Sequence, residues 1–356
     1  MAIAPPTATA QRADALWLTG VRSVEVRSET LADTLPADAV RVRALASGIS
    51  QGTELLAWRG EIAPDLPLDL PTFVGSFAFP LKYGYANVGR VEAVGAGVTS
   101  CAIGDLVFGL HPHQTHWIAP AGLVTRLPDD LPPEHGVFVA NLETAVNILH
   151  DTPLLLGECA VVFGMGTVGL LVAQLLARAG AAQVIAVDPV AARRERALRV
   201  GITHALHPDA VASDVPKLTR GRGVDVAIDV SGHPSAMQSA IDAVCADGTV
   251  VIGSWYGAKP VTLQLGEHFH RGRVRIRSSQ VGNLAPEARS RWDRVRRMQS
   301  VTTLLPQLHL AELITHRIPL AEAGDAFTLL DDPTQSAGAG QVVLTYPGTD
   351  ANEPAE

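Results

Sequence analysis

The run GMGTVG places Gly164, Gly166 and Gly169 directly after the apolar stretch AVVF and directly before a long apolar helical pattern. Glycine at the first place permits a tight turn, at the second lets a pyrophosphate approach the backbone, and at the third lets helix and strand pack closely. Thr167 and Val168 then open the helix whose N-terminal amides hold phosphate. The next apolar strand ends in Asp188, nineteen residues past Gly169. A carboxylate there accepts bonds from ribose hydroxyls and repels a 2′-phosphate, so NAD(H) is favoured. Arg193 and Arg194 keep NADP(H) open. The competing reading is a glycine turn that holds no nucleotide.

Other reactive side chains are spread along the chain. Glu143, in an otherwise apolar stretch, is a candidate acid, against the alternative of a carboxylate stabilised at a helix N-terminus. The run HPHQTH carries His111, His113 and His116, but Pro112 and the lack of a neighbouring carboxylate argue against a metal site there. His113 is instead assigned to the substrate-facing wall. In FHRGRVRIRSSQVGN, Arg271, Arg273, Arg275 and Arg277 alternate, as a solvated strand face would, or as a site for an anionic group would.

The elements that must position these groups fall into two kinds. Up to about residue 140 the pattern is β-rich, with alternation in SVEVRSE and AVRVRALA and Gly and Asp at the turns. It suggests a small barrel-like unit. From there, continuous apolar strands (AVVF, QVIAV, VDVAIDV, GTVVIG) alternate with helical stretches, as in a doubly wound α/β domain. Beyond residue 282 the chain is read as charged and helical (PEARSRWDRVRRMQSVTTLL), then as the strand GQVVLTYP. MAIAPPTATAQRADA and GTDANEPAE read as loose tails.

Composition narrows the function classes. The chain has 356 residues, 47% hydrophobic and 18% charged, with a net charge of -8. That balance predicts a large core and no general affinity for nucleic acid or anionic membranes. No apolar run is long enough to span a bilayer, and no secretory signal is evident. Three cysteines, Cys101, Cys159 and Cys245, suit a reducing cytoplasm and exclude a four-cysteine zinc site.

GISQGTE, GYANVGRVEAVG, GDLVFG, ETAVNIL, GMGTVG, DVSG and GQVVL together resemble the medium-chain dehydrogenase/reductase superfamily over nearly the whole chain. The resemblance implies a GroES-like β-barrel catalytic domain (1–145 and 282–356) with a Rossmann domain (146–281) between its parts. It also implies hydride transfer between nicotinamide and an alcohol or carbonyl substrate, and homodimers joined through an edge strand of the nucleotide sheet. SGISQGTELLAWRG with FPLKYGYANVGRVEAVG is most similar to the branch that contains the bacteriochlorophyllide hydroxyethyl dehydrogenase. In zinc members the three catalytic ligands would fall at Gln51, Tyr85 and Ala140, with Ser50 beside the first. None of these is a thiolate, imidazole or carboxylate, so a zinc-lacking enzyme is expected.

By the same resemblance Tyr85, in place of a zinc histidine, is the first candidate proton donor, and Thr53 occupies a hydroxyl-relay place. Ser50 and Gln51 line the substrate side. Thr144, Ser231, Gly253 and Ser279 fall where relatives approach the nicotinamide half. Two other readings remain open: an NADPH-dependent quinone or enoyl reductase on the same fold, and a cofactor-binding protein without turnover.

Overall fold

The structure, a computed structural model, describes residues 11–68, 70, 72–257 and 259–347. Residues 1–10 and GTDANEPAE, both read as tails, lie outside the described residues. The end of the first expected tail is different. Arg12–Gly20 is a strand, paired antiparallel with Ser23–Thr30. Its apolar residues Ala13, Ala15, Leu16 and Leu18 are all buried, and that burial outweighs the polar residues between them.

The chain forms two units, Met1–Ala140 with Ile314–Glu356, and Asn141–Leu313. Among the described residues the first unit holds a seven-stranded sheet. Its central strand, Ala39–Ile49, pairs antiparallel with Asn87–Val94, His116–Pro120 and Gln341–Thr345. Val342 lies opposite Ile49, so the C-terminal segment completes a sheet begun near the N-terminus. This is the GroES-like arrangement that the resemblance implies.

The second unit, among the described residues, is built on a six-stranded parallel sheet. Its order is His204–Leu206, Gln183–Val187, Cys159–Phe163, Val224–Asp229, Val244–Ile252, Arg275–Ser278. The order reverses between Cys159–Phe163 and Val224–Asp229, and a doubly wound sheet takes its ligand at such a switch point. All five residues of Cys159–Phe163 are buried, as a strand covered by helices on both faces requires.

The expected return to the first unit at residue 282 falls instead at Ile314. Residues 282–313 stay with the nucleotide-binding unit because their buried groups are met there. Arg297 is 2% exposed and bonds to Glu143 and Asn147, and the Gln174 side chain accepts the His309 amide at 2.8 Å. The helix expected across PEARSRWDRVRRMQSVTTLL is also shorter, spanning Arg294–Leu304. Asp293 starts it, its carboxylate accepting the Arg296 amide at 2.7 Å. No helix among the described residues is long and apolar enough to cross a membrane.

Candidate active site

In the second unit, the helix Thr167–Arg178 starts immediately after the glycine turn. Gly164 has φ +95°, and a side chain there would fall 2.7 Å from the Ser231 Cα. A Cβ on Gly169 would fall 1.8 Å from the Gly164 carbonyl oxygen, whereas one on Gly166 would meet nothing within 4 Å. One glycine closes the turn, one packs the helix, and Gly166 leaves the backbone open toward a ligand. Gly169→Ala is therefore expected to cost about 1–3 kcal/mol of stability by overpacking and to weaken NADH binding. A melting curve and an NADH titration check this.

Asp188 is 2% exposed. Its carboxylate accepts the Met165 amide and the Val190 amide, each at 2.8 Å, and so ties the glycine turn to the end of the second strand. Arg193 approaches it at 3.9 Å, and Arg194 donates to the Asp188 and Pro189 carbonyls. The turn after Val224–Asp229 is fixed in a similar way. Asp229 is fully buried and accepts from the Ser231 amide (3.0 Å) and hydroxyl (2.6 Å) and from the Tyr256 hydroxyl. Gly253 donates its amide to the Asp229 carbonyl, and a side chain on it would strike Ile148. Gly164, Gly166, Gly169, Asp188, Ser231 and Gly253 thus meet at the switch point. This cradle fits a dinucleotide.

Glu143 and Thr144 lie on the helix Val139–Asp151. Glu143 Oε1 accepts from Arg297 Nε (3.1 Å) and Nη2 (2.6 Å), so the carboxylate is the partner of a buried guanidinium and the acid role is set aside. Ser279 donates to Asp151 at 2.7 Å, and Asp151 also pairs with Arg277 at 2.8 Å. Arg277 further binds Glu287. An anion-binding Arg277 is replaced by an internal ion-pair network.

In the first unit, the helix Thr53–Trp58 follows Gly52 with no side-chain cap, so the Thr53 hydroxyl is not spent on capping. Tyr85 Oη donates to Ser50 Oγ at 2.5 Å and lies 3.5 Å from Thr53 Oγ1. Three hydroxyls meet there. Burial, and then the nearby Glu54, raise the Tyr85 phenol above its ordinary pKa, while its bonds to Ser50 and Thr53 oppose the rise. The phenol stays a proton donor over a wide pH range.

The structure corrects the place of His113. Its side chain is fully buried, so it lines no open wall. Its Nε2 lies 2.9 Å from Glu54 Oε2 and its Nδ1 lies 2.7 Å from Ser47 Oγ. Asn87 holds the surrounding loop, donating to the Pro112 and Gln114 carbonyls and accepting from Trp117. His111 stacks on Trp117, and burial lowers its pKa to about 3. His116 faces Glu92 at 3.7 Å. Sequence reasoning missed Glu54 and Asn87, although a glutamate inside the apolar run TELLAW is a signal of a paired, buried carboxylate.

The places of the zinc ligands carry an amide at Gln51, a phenol at Tyr85 and a methyl at Ala140. This donor set does not fit zinc. Among the described residues there is no group of three His, Cys, Asp or Glu side chains able to hold a metal.

Comparison with known proteins agrees with the fold. Residues 167–299 match the family model described as zinc-binding dehydrogenase. The D-guloside 3-dehydrogenase of Escherichia coli K12 is 28% identical over 328 residues, covering 85% of this chain and 93% of that protein. This is an NAD(P)-dependent oxidoreductase. The solved 2R,3R-butanediol dehydrogenase of Bacillus subtilis superposes on the oxidoreductase with a TM-score of 0.78 at 22% identity, over 94% of this chain and 99% of that one. An Escherichia coli CFT073 alcohol dehydrogenase complexed with NADH does so with a TM-score of 0.76 at 18% identity, over 94% of this chain and 99% of that one. At these identities the two structures speak to the fold.

Proposed function

We propose that the oxidoreductase interconverts an alcohol and a carbonyl compound without zinc, with Tyr85 moving the proton. The observation that carries this reading is the hydroxyl cluster in which Tyr85 lies 2.5 Å from Ser50 and 3.5 Å from Thr53, where zinc relatives hold their metal. A nicotinamide cofactor supplies or accepts the hydride. In the reducing direction Tyr85 Oη gives its proton to the substrate oxygen as charge develops there, and in the oxidising direction it takes that proton back. Ser50 and Thr53 orient the phenol and offset the charge left on it. Gln51 is assigned to the same wall, and Thr144 and Ser279 to the nicotinamide half.

The donor set at Gln51, Tyr85 and Ala140 supports the zinc-lacking branch of the fold. Metal analysis of the purified protein tests it: one equivalent of tightly held zinc per chain would remove the reading.

The buried Asp188 carboxylate, two amides fixing its place, supports NAD(H) over NADP(H). Asp188→Ser is expected to lower the NADH-to-NADPH ratio of kcat/KM by on the order of tenfold or more, because a like-charge clash with the 2′-phosphate is removed. An unchanged ratio would count against the assignment. The free cysteines support a reducing, cytoplasmic setting. The edge strand Arg275–Ser278, with Ile276 exposed, supports pairing of two copies through the nucleotide sheet.

A further inference from the structure

We propose that Glu54 is a positioning residue: a buried carboxylate, held by His113, that fixes Ser50 and so keeps the Tyr85 hydroxyl poised against it. This deepens the zinc-free reading and rests on it.

The geometry starts with the Glu54 carboxylate, which is 1% exposed. Oε1 accepts the Ser50 amide at 2.8 Å, so the carboxylate fixes the residue whose hydroxyl receives Tyr85. Oε2 meets His113 Nε2 at 2.9 Å. From His113 a chain of contacts continues from Nδ1 to Ser47 Oγ (2.7 Å) and on to Tyr346 Oη (2.7 Å). Gly84, next to Tyr85, has φ +109°, and a Cβ on it would fall 2.5 Å from His113 Nε2. The imidazole therefore packs directly against the backbone that carries Tyr85.

The Tyr346 oxygen accepts the Gln114 backbone amide and meets the Ser47 hydroxyl, which in turn meets His113 Nδ1. The Glu54 carboxylate is thus held from two sides, by the Ser50 amide and by His113 Nε2. The groups that face it are the phenols of Tyr83, Tyr85 and Tyr346 and the imidazole of His113; His111 and Lys82 act on one another and, for His111, on His113. Its field raises all three phenols, in each case as a lesser cause than burial. Of the three, Tyr85 is the one that touches Ser50 and Thr53.

A donor phenol works only while protonated, so turnover in the reducing direction falls as pH rises through the Tyr85 ionisation. Removing the neighbouring carboxylate lowers that ionisation, and the alkaline limb of kcat/KM moves to lower pH.

The test uses the full chain and compares wild type, Tyr85→Phe, Glu54→Gln and Glu54→Asp. The pH dependence of kcat/KM is read beside tyrosinate difference absorbance, taken as each protein minus its Tyr85→Phe counterpart to isolate Tyr85. Glu54→Gln, which keeps size and hydrogen-bonding shape, is expected to shift both the kinetic limb and the absorbance titration to lower pH. Glu54→Asp is expected to hold them near wild type. Should Glu54→Gln fail to fold, Glu54→Leu serves, since it removes the same carboxylate and is expected to move the titration the same way. An unmoved Tyr85 titration in the folded variant overturns the proposal. Tyr85→Phe with full activity overturns the zinc-free tyrosine reading itself, whatever Glu54 does to the absorbance.

Discussion

Tyr85→Phe is expected to lower kcat by about 10²–10⁴-fold, the usual contribution of a positioned acid–base group, while leaving NADH binding intact. The substitution deletes one oxygen and keeps the ring, so its packing against Tyr83, at 6.2 Å between centroids, is retained. The cofactor cradle lies at Gly164–Gly169, Asp188 and Ser231, in the other unit of the chain, and loses no atom. Steady-state kinetics on any alcohol/carbonyl pair that supports turnover give the first quantity. Quenching of tryptophan fluorescence by NADH gives the second. A variant retaining most of its kcat would exclude Tyr85 as the donor and leave the hydroxyl cluster without chemistry. Ser50→Ala should fall between wild type and Tyr85→Phe, because it removes the oxygen that aims the phenol and leaves the phenol in place.

The nucleotide half was legible in the sequence because its signals are local. A strand, a glycine turn and a helix follow one another within GMGTVG and its flanks, and Gly164 and Gly169 stand where a Cβ would collide. The hydroxyl cluster was partly legible. Ser50, Thr53 and Tyr85 were marked by spacing and resemblance, and they do meet. The buried carboxylate behind them was not legible. Glu54 and His113 are 59 residues apart, and their partners Ser47 and Tyr346 are 299 apart. The pairing of Ala39–Ile49 with Gln341–Thr345 brings Ser47 and Tyr346 together, and that of Ala39–Ile49 with His116–Pro120 draws in the His113 loop. His113 reads as part of the substrate-facing wall, whereas Asn87 captures the carbonyls of both Pro112 and Gln114 and the ring is buried. The boundary at residue 282 failed for a related reason. A charged, arginine-rich stretch reads as solvent-exposed, and nothing local shows that one of its arginines is buried against a helix carboxylate.

That arginine carries the second large effect. Arg297→Leu is expected to cost about 3–5 kcal/mol of unfolding free energy, the range for breaking a buried pair by removing one partner. Arg297 donates twice to Glu143 Oε1, and its Nη1 donates to Asn147 Oδ1 at 2.7 Å. Glu143, Asn147 and Asp151 succeed one another at four-residue steps on one helix, so they share a face. Asn147 is fully buried and donates onward to Asp151 and Ser279. Leucine leaves the Asn147 oxygen without that donor and the Glu143 carboxylate without its guanidinium. Urea denaturation measures the loss. The double variant Arg297→Leu with Glu143→Leu is expected to recover part of it, since replacing both partners removes the uncompensated charge. If the single substitution costs under about 1 kcal/mol, the value of an exposed pair, the stripe is peripheral to the unit. If the cost is full and the double variant recovers it while retaining kcat, Glu143 stands as a structural carboxylate, and the acid of the reaction is left to Tyr85.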